Sequence, residues 1–494
     1  MAARALPNVL DRLIGFFAPM TAVRRSVARD LLKRAYEGAS RADGWAPRRA
    51  GASANADHRA DAAELRTRAR ALVQNVPYIK RAVNARVEHA IGTGIAPRSL
   101  AKGEMKQRVD ALWDAWVPVA DADGVSDFYG LWARAYLAMR VDGECLIRLR
   151  PRSAADGLPV PLQLQLLEID YLDSSKNGTL NGNTIVNGIE YDPIGRVTAY
   201  WLFTEHPGDV ATVRGLRSSV PVPASRIVHL FKADRPGARR GVSSLASVIA
   251  RVRDLQTYED AELARKNLET RLSVLASGDV SQMAAPDVGP QAGAQQGAMS
   301  LGELPSGGMT VVPAGVNLTV VEPKPAPGYE AYVKHQLHLI AAGMEVTYEM
   351  LTGDMSGVNF SSARVALIDF KRSVEQEQWL VLVPHMTRLW REFVDTAYLA
   401  GALPRPEYAV DWSTPKWDYV NPLQEVNADN AEIAGGLSSI SEKLRRRGYK
   451  PDLVFAEMES DLKRLEESGV LRLLLAMKSG NATVVAAAAD PGSE

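Results

Sequence analysis

Residues 361 to 399 sustain one helical pattern, SSARVALIDFKRSVEQEQWLVLVPHMTRLWREFVDTAYL. About 39 residues at 1.5 Å each make a rod of roughly 58 Å, close to twice the diameter of a small domain. Pro384 lies inside the pattern, where a missing amide hydrogen predicts a kink. A shorter helical run, YEAYVKHQLHLIAAGM, precedes the rod, and a break over residues 344–360 separates the two. Gly343 stands at the edge of this break and Gly353 and Gly357 lie within it; its charges are Glu345, Glu349 and Asp354, with no Lys or Arg. Catalytic domains seldom need so long a helix behind a Gly-rich, non-basic loop. A large ring or tube built from many copies does.

The 494 residues suffice for several domains with their own cores. Basic and acidic side chains balance at 58 each, so net charge selects neither nucleic acid nor membrane as a partner. Residues 1–90 are different, with 17 Lys/Arg against 8 Asp/Glu. Such a basic segment suits contact with acidic surfaces or nucleic acid, although solvated helix faces explain most excesses of this kind. Cys145 is the only cysteine, which rules out an intrachain disulfide framework and fits a reducing compartment. The apolar piece 13–20 is far shorter than a membrane span and lacks the flanks of a cleaved signal, so the expectation is a soluble chain.

Residues 1–60 read as an extended, loosely ordered arm, rich in Ala, Gly, Arg and Ser without apolar periodicity. Helices are expected over 61–74, 77–92 (with Pro77 at the first position), 105–116 and 128–141. A β-rich stretch starts near Glu144: ECLIRLRP, LQLQLLEI, IVNGIEYDPIGRVTAYWLF and SRIVHLF alternate or run β-branched, with turn signals at Asn177-Gly178, Asn187-Gly188 and Pro193-Ile194-Gly195. A long helix is expected over 242–276, then a Pro/Gly/Gln-rich insertion with two short strands, 309–312 and 318–321, paired as a hairpin. Two further helices, 422–447 and 451–469, precede a low-complexity tail. The fold class is α+β and mainly helical.

Enzyme chemistry finds no foothold. There is no phosphate-binding loop, no nucleophile elbow and no Cys/His metal spacing. Gly92-Thr93-Gly94 reads as a helix-ending turn, and Asp121 and Asp123 lack the later Glu of a calcium loop. His335 and His338 share a helix face without a third ligand, which points to surface or subunit contact rather than to metal. Cys145 sits in an apolar strand pattern and reads as a small buried hydrophobe. Trp113, Trp116, Trp132, Trp379 and Trp390 fit core or subunit packing before base stacking. No cofactor and no metal are expected.

Seven segments in consistent order resemble lambda-type phage portal proteins: YEGASRADGW; RTRARALVQNVPYIKRAVNARVEHAIGTGIAP; VDGECLIRL; LQLQLLEIDYLD with NGIEYDPIGRVTAYWLF; VPASRIVHLFKADRPGARRGVSSL; EVTYEMLTGDMSGVNFSSARVALIDF; and NPLQEVNADNAEIAGGLSSISEKLRRRGY. The resemblance implies the portal fold: a ring, typically of twelve subunits, at one capsid vertex of the virion, assembled in the host bacterial cytoplasm. Double-stranded DNA would be packaged and ejected through its channel. The implied partners are further copies of the chain, the large terminase, head-completion or adaptor proteins, and the major capsid and scaffold proteins, with no membrane. The implied parts are a basic arm (1–60), the N-terminal wing (61–241), a first stem helix (242–276), a clip (277–327), a second stem helix (328–343), a tunnel loop (344–360), a wing spine helix (361–403) and a C-terminal wing and crown (404–494).

Under this resemblance the residues expected along the channel are Met344, Glu345, Glu349, Gly353, Asp354, Met355, Gly357 and Asn359 of the tunnel loop. Lys334, His335 and His338 on the second stem helix face either the channel or a neighbouring subunit. A loop with three carboxylates and no cation repels the DNA backbone, favouring gliding, because each phosphate neutralised by Lys or Arg deepens a binding minimum. The competing readings are a helical adaptor or scaffold without a channel, and a metal-dependent DNA hydrolase, for which the clustered carboxylates are missing.

Overall fold

The computed structural model describes residues 52–209, 218–270, 274–277, 317–320, 328–357, 359–415, 417, 422–447, 449 and 451–471. The chain divides into two compact units, Met1–Asp57 and His58–Glu494. Of the first, only residues 52–57 are described, so the expected basic arm lies almost wholly outside the described residues, as does the expected strand 309–312.

The N-terminal helices are α1 (Ala54–Asn75), α2 (Pro77–Ala90), α3 (Glu104–Trp116) and α4 (Phe128–Asp142), with the short strand β1 (Ala96–Ser99) between α2 and α3. α1 begins before the expected boundary at residue 61. Val76 bends the chain, and Pro77, which needs no amide partner, opens α2. The Asp127 carboxylate accepts from the Gly130 amide at 2.7 Å and caps α4. Gly92 and Gly94 follow α2 at positive φ, as a helix-ending turn requires.

Next come eight antiparallel strands: β2 (Glu144–Pro151), β3 (Leu162–Glu168), β4 (Gly178–Leu180), β5 (Asn183–Val186), β6 (Ile189–Tyr191), β7 (Val197–Phe203), β8 (Ser219–Pro223) and β9 (Ile227–Phe231). They form one sheet in the order β3-β2-β9 and another in the order β4-β5-β6-β7-β8. Asn187-Gly188 makes the β5–β6 turn with both residues at positive φ, as the dipeptide predicts. The β4–β5 turn is Asn181-Gly182 rather than Asn177-Gly178, which leads into β4. Cys145 on β2 is fully buried, and its thiol donates to the Ala135 carbonyl of α4.

The helix expected over 242–276 is shorter. Residues 244–248 form turns, α5 runs over Ile249–Thr270, and Val274–Ser277 is strand β10. β10 pairs antiparallel with β11 (Asn317–Val320), so 318–320 is a strand, with Val274–Ser277 as its partner among the described residues. α6 (Tyr329–Gly343) returns along α5. The Tyr258 ring meets those of Tyr329 and Tyr332 at 5.8 and 4.7 Å, and Arg251 donates to Gln336 at 2.7 Å.

A five-residue helix α7 (Tyr348–Thr352) lies within the break, and the rod follows as α8 (Phe360–Glu377) and α9 (Val383–Leu399). Pro384 does not simply kink the rod. A π-helical turn, Gln378–Leu382, sits immediately before it and re-spaces the ladder where the proline offers no N–H. α9 buries Met386, Leu389, Trp390 and Phe393. The Trp390 and Phe393 rings lie 5.2 and 5.0 Å from Trp113, inside a cluster with Trp116 and Phe128. Trp132 is also buried, whereas Trp379 is 46% exposed. Strand β12 (Val410–Ser413) pairs with β1. The helix expected over 422–447 is divided by Gly435-Gly436 into α10 (Pro422–Ala434) and α11 (Ile440–Arg446), and α12 (Pro451–Glu467) ends the described chain.

Candidate functional site

The connection from α6 to α8 is anchored at its first residues. A Cβ on Gly343 would stand 2.4 Å from Val248 Cγ1, so only glycine lets the end of α6 press on the turn before α5. Met344 is fully buried, and Glu345 then turns the chain at φ 59°. This left-handed conformation costs a residue with a side chain about 1 kcal/mol. It is supported from both sides. Glu345 Oε2 lies 3.2 Å from Arg86 Nη2 of α2 and 3.4 Å from Arg140 Nη1 of α4. The same arginines donate to the carbonyls of Glu345 and Met344, each at 3.4 Å.

Beneath Glu345 lies Glu377, at the end of α8 and almost wholly buried. Arg86 approaches its carboxylate at 3.0 Å and Arg140 at 3.3 Å, and the Tyr136 hydroxyl donates to it. Arg86 also donates to Ser373 Oγ at 2.7 Å, and Lys232 Nζ stands 3.9 Å from both carboxylates. Burial alone would raise the Glu377 carboxyl, but Arg140 and Arg86 outweigh it and hold the group below its ordinary value. Burial, with Glu377 beside it, pushes the Tyr136 phenol up. A cavity of about 240 Å³ opens beside the cluster, lined in part by Lys232, Ser243, Ser247 and Glu345. The network therefore adds a charged junction among α2, α4, the α6–α7 turn and α8 to the apolar core that they share.

Beyond Glu345 the loop is held more lightly. Thr347 caps α7 by accepting from Met350 N, and Arg81 Nε donates to the Met350 carbonyl at 2.8 Å. The Tyr348 ring stacks on His338 at 4.1 Å, with Lys334 Nζ 5.7 Å from its centre. The Tyr348 hydroxyl reaches Asp354 Oδ2 at 3.4 Å. Asp354 also accepts from Ser356 N at 2.9 Å; hydrogen bonds from Ser356, with Lys334 nearby, hold it below its ordinary value. Gly353 turns the chain at φ 77° after α7.

The eight loop residues expected along the channel, and the three stem residues expected at the channel or a neighbouring subunit, thus occupy different settings. Met344 belongs to the core, and Glu345 is committed to Arg86 and Arg140 of its own chain. Asn359 caps α8 by accepting from Ser362 N at 2.8 Å. Glu349 and Asp354 are half-buried, whereas Gly353, Met355 and Gly357 are exposed. Lys334, His335 and His338 lie on the exposed side of α6, with Lys334 and His338 gathered about Tyr348. Arg86, Tyr136, Arg140 and Glu377 were not anticipated. Their signal in the sequence is a charged or hydroxyl side chain among apolar helix positions, as in AYLAMRVD.

Two other charged clusters lie outside this region. Glu144, fully buried on β2, accepts from Arg240 Nε at 2.7 Å and from Gly241 N at 3.2 Å, with His229 Nε2 at 2.9 Å and His58 Nε2 at 3.3 Å. Burial opposes its charge, but Arg240 and the two histidines hold it well below the ordinary carboxylate value; burial pushes His229 down. Elsewhere Glu168, Asp170 and His206 bring ligand atoms within 4.8 Å of one another. Arg70 already lies 2.6 Å from Asp170 and 3.4 Å from Glu168, so these carboxylates are balanced by a guanidinium.

Among the described residues no helix is long and apolar enough to cross a membrane. The family described as phage portal protein, lambda family, matches residues 38–378. The chain is 27% identical over 431 residues to the probable portal protein of Halomonas phage phiHAP-1, covering 82% of this chain and 81% of that one. It is 19% identical over 450 residues to portal protein B of Escherichia phage lambda, covering 82% and 84%. Among solved structures, a chain from the neck of a native gene transfer agent particle, computed with C12 symmetry, aligns at a TM-score of 0.42 and 14% identity over 77% of this chain and 93% of that chain. An HK97-family portal protein from Corynebacterium diphtheriae aligns at 0.33 and 12% over 61% and 85%. A family match over more than half of the chain favours the portal reading over an adaptor without a channel. This chain belongs to the lambda family of phage portal proteins, structural head–tail connectors of the virion.

Proposed function

We propose that copies of this chain close into a ring, with twelve subunits in the particle, through which double-stranded DNA enters and leaves the capsid. In this reading α5 and α6 form the stem, residues 277–327 the clip, residues 344–360 the tunnel loop, and α8–α9 the spine of the wing. The observation that carries it is the division of labour among the loop's acids. Glu345 is consumed by its own chain, which leaves Glu349 and Asp354 as carboxylates on a segment without Lys or Arg. A ring of such loops repels phosphate and lets the duplex slide without a deep minimum. Lys334 lies near Asp354, so the stem's cation is partly balanced before DNA arrives.

The same reading gives the ring a terminase at its outer face during packaging, head-completion proteins afterwards, and capsid and scaffold proteins around its rim, with assembly in the bacterial cytoplasm. The basic arm is assigned to scaffold, capsid or DNA contact. Negative-stain imaging of the purified chain tests the central claim. Rings with a central hole of duplex width are expected, and solid particles or monomers would refute it.

A further inference from the structure

One face of the sheet β3-β2-β9 changes from apolar to cationic along β2. Leu146 is buried in the cluster that joins the two sheets, together with Leu167 of β3 and Ile227 of β9. The next two positions on that face are Arg148 and Arg150, half-buried and opposite Gln165 and Gln163 of β3. Arg152 follows just past the strand, where its Nε donates to Gln163 Oε1 at 2.8 Å. Successive side chains on one face of an antiparallel strand stand about 6.8 Å apart, so the guanidiniums line up at regular steps.

Arg148 and Arg150 differ from the neighbouring arginines in having no acid. Arg66, Arg70, Arg134 and Arg240 are each committed to a carboxylate, those of Asp170, Asp142, Asp121 and Glu144 in turn. Among the described residues no carboxylate or hydrogen-bond acceptor pairs with Arg148 or Arg150. Burial, with Arg150 beside it, pushes the Arg148 guanidinium down from its ordinary value. Like charges adjacent on a sheet destabilise it, so the pair weakens the fold until an oxyanion neutralises it. A guanidinium fork meets a carboxylate with two parallel hydrogen bonds, and partial burial strengthens such a pair over open water. The patch is also bounded. Gln165 donates to the exposed Asp123 carboxylate at 3.3 Å, and Glu168 ends β3 with its side chain 55% exposed. A duplex laid on this face would carry phosphates over those carboxylates, whereas a short acidic segment stops before them.

We infer that Arg148, Arg150 and Arg152 form a docking site for an extended acidic segment of another protein, taking its carboxylates at alternate positions. Charge complementarity and the spacing of β2 set the occupant, because an extended chain repeats its side chains on one side at the same step. The site uses none of the residues assigned to the channel and needs no second copy of the chain.

Fluorescence polarisation of labelled peptides titrated with the full chain tests it, at an ionic strength of about 0.15 M. One peptide alternates glutamate with threonine, and the other holds the same glutamates in an unbroken run. The alternating peptide should bind more tightly, and Arg148→Gln/Arg150→Gln should weaken its binding at least about tenfold. Arg196→Gln, which removes an exposed cation already paired with Asp192, should leave binding unchanged. Chemical denaturation checks the fold: the double variant relieves the repulsion and should be no less stable than wild type. Should it prove less stable, Arg150→Gln decides alone. Unchanged binding in the variant, equal binding of the two peptides, or no binding by the wild type would each overturn the inference. Tighter binding of a duplex of equal charge, lost in the same variant, would give the stripe to nucleic acid and overturn it as well.

Discussion

Glu144 and Glu377 are both buried carboxylates clasped by arginine, but they connect to different things. Glu144 is sealed: Arg240, His229, His58 and the Gly241 amide surround it, and each of these side chains is itself buried. Glu377 is one layer beneath the surface. Its arginines continue to Glu345, whose side chain is 47% exposed at the head of the loop. The first cluster fixes how the strands meet α1, and the second fixes where a loop begins. Burying charge makes a contact rigid in both places, and only at the second is that rigidity passed to a segment assigned to function.

Substitutions can break this contrast in order of burial. Glu144→Ala strands Arg240 without a counter-charge and should cost about 3–5 kcal/mol in chemical denaturation of the full chain. A loss below about 1 kcal/mol would show that the site is not sealed. Glu377→Ala leaves Arg86 and Arg140 with only half-exposed Glu345 and should cost about 3 kcal/mol. Acidification sharpens the same comparison. The folded Glu144 and Glu377 carboxyls lie below their ordinary values, so their contribution is complete above the unfolded value of about 4.3 and is lost as pH falls through the folded ones. The folded His229 is also depressed, so its share is present above about pH 6.5 and is lost as pH falls from there toward its folded value. Stability should therefore start to decline near pH 6.5 from the Glu144 cluster alone, and steepen below about 4.3. His229→Gln should remove the first decline. Glu345→Gln should have the smallest effect on stability, about 0.5–1 kcal/mol, because solvent screens the exposed half of the pair. Its larger consequence should be faster amide hydrogen exchange over residues 346–357, and unchanged exchange there would separate the loop from the cluster.

Much of the architecture could be read from one-dimensional pattern. Pro77, Asn187-Gly188, the 3.6 period within each half of the rod and the lone apolar Cys145 each carry a local rule that the fold obeys. The ends of α5 could not be read so. Residues 242–276 keep a helical composition throughout, and only packing of Val248 on Gly343 and pairing of β10 with β11 shorten the helix. The loop's lack of cations was visible, but the commitment of Glu345 was not. Arg86 and Arg140 lie 259 and 205 residues from it in sequence, and no periodic rule links positions so far apart. Met344 looked like loop and is core for a related reason.

The π-helical turn before Pro384 has a consequence for how the rod can vary. An unbroken period continued from Phe370, Val374 and Glu377 would bring Val381, His385, Arg388 and Glu392 inward. The buried residues are Leu382, Met386, Leu389 and Phe393, each one place later. One helical residue corresponds to about 100° of rotation. Losing a single codon between residues 378 and 382 would therefore mend the hydrogen-bond ladder and keep Met386, Leu389 and Phe393 facing the tryptophans, whereas closing the ladder without that loss would aim His385 and Arg388 at them. The two halves of the rod are indexed to different partners, and that one-residue offset is what allows both to be satisfied at once.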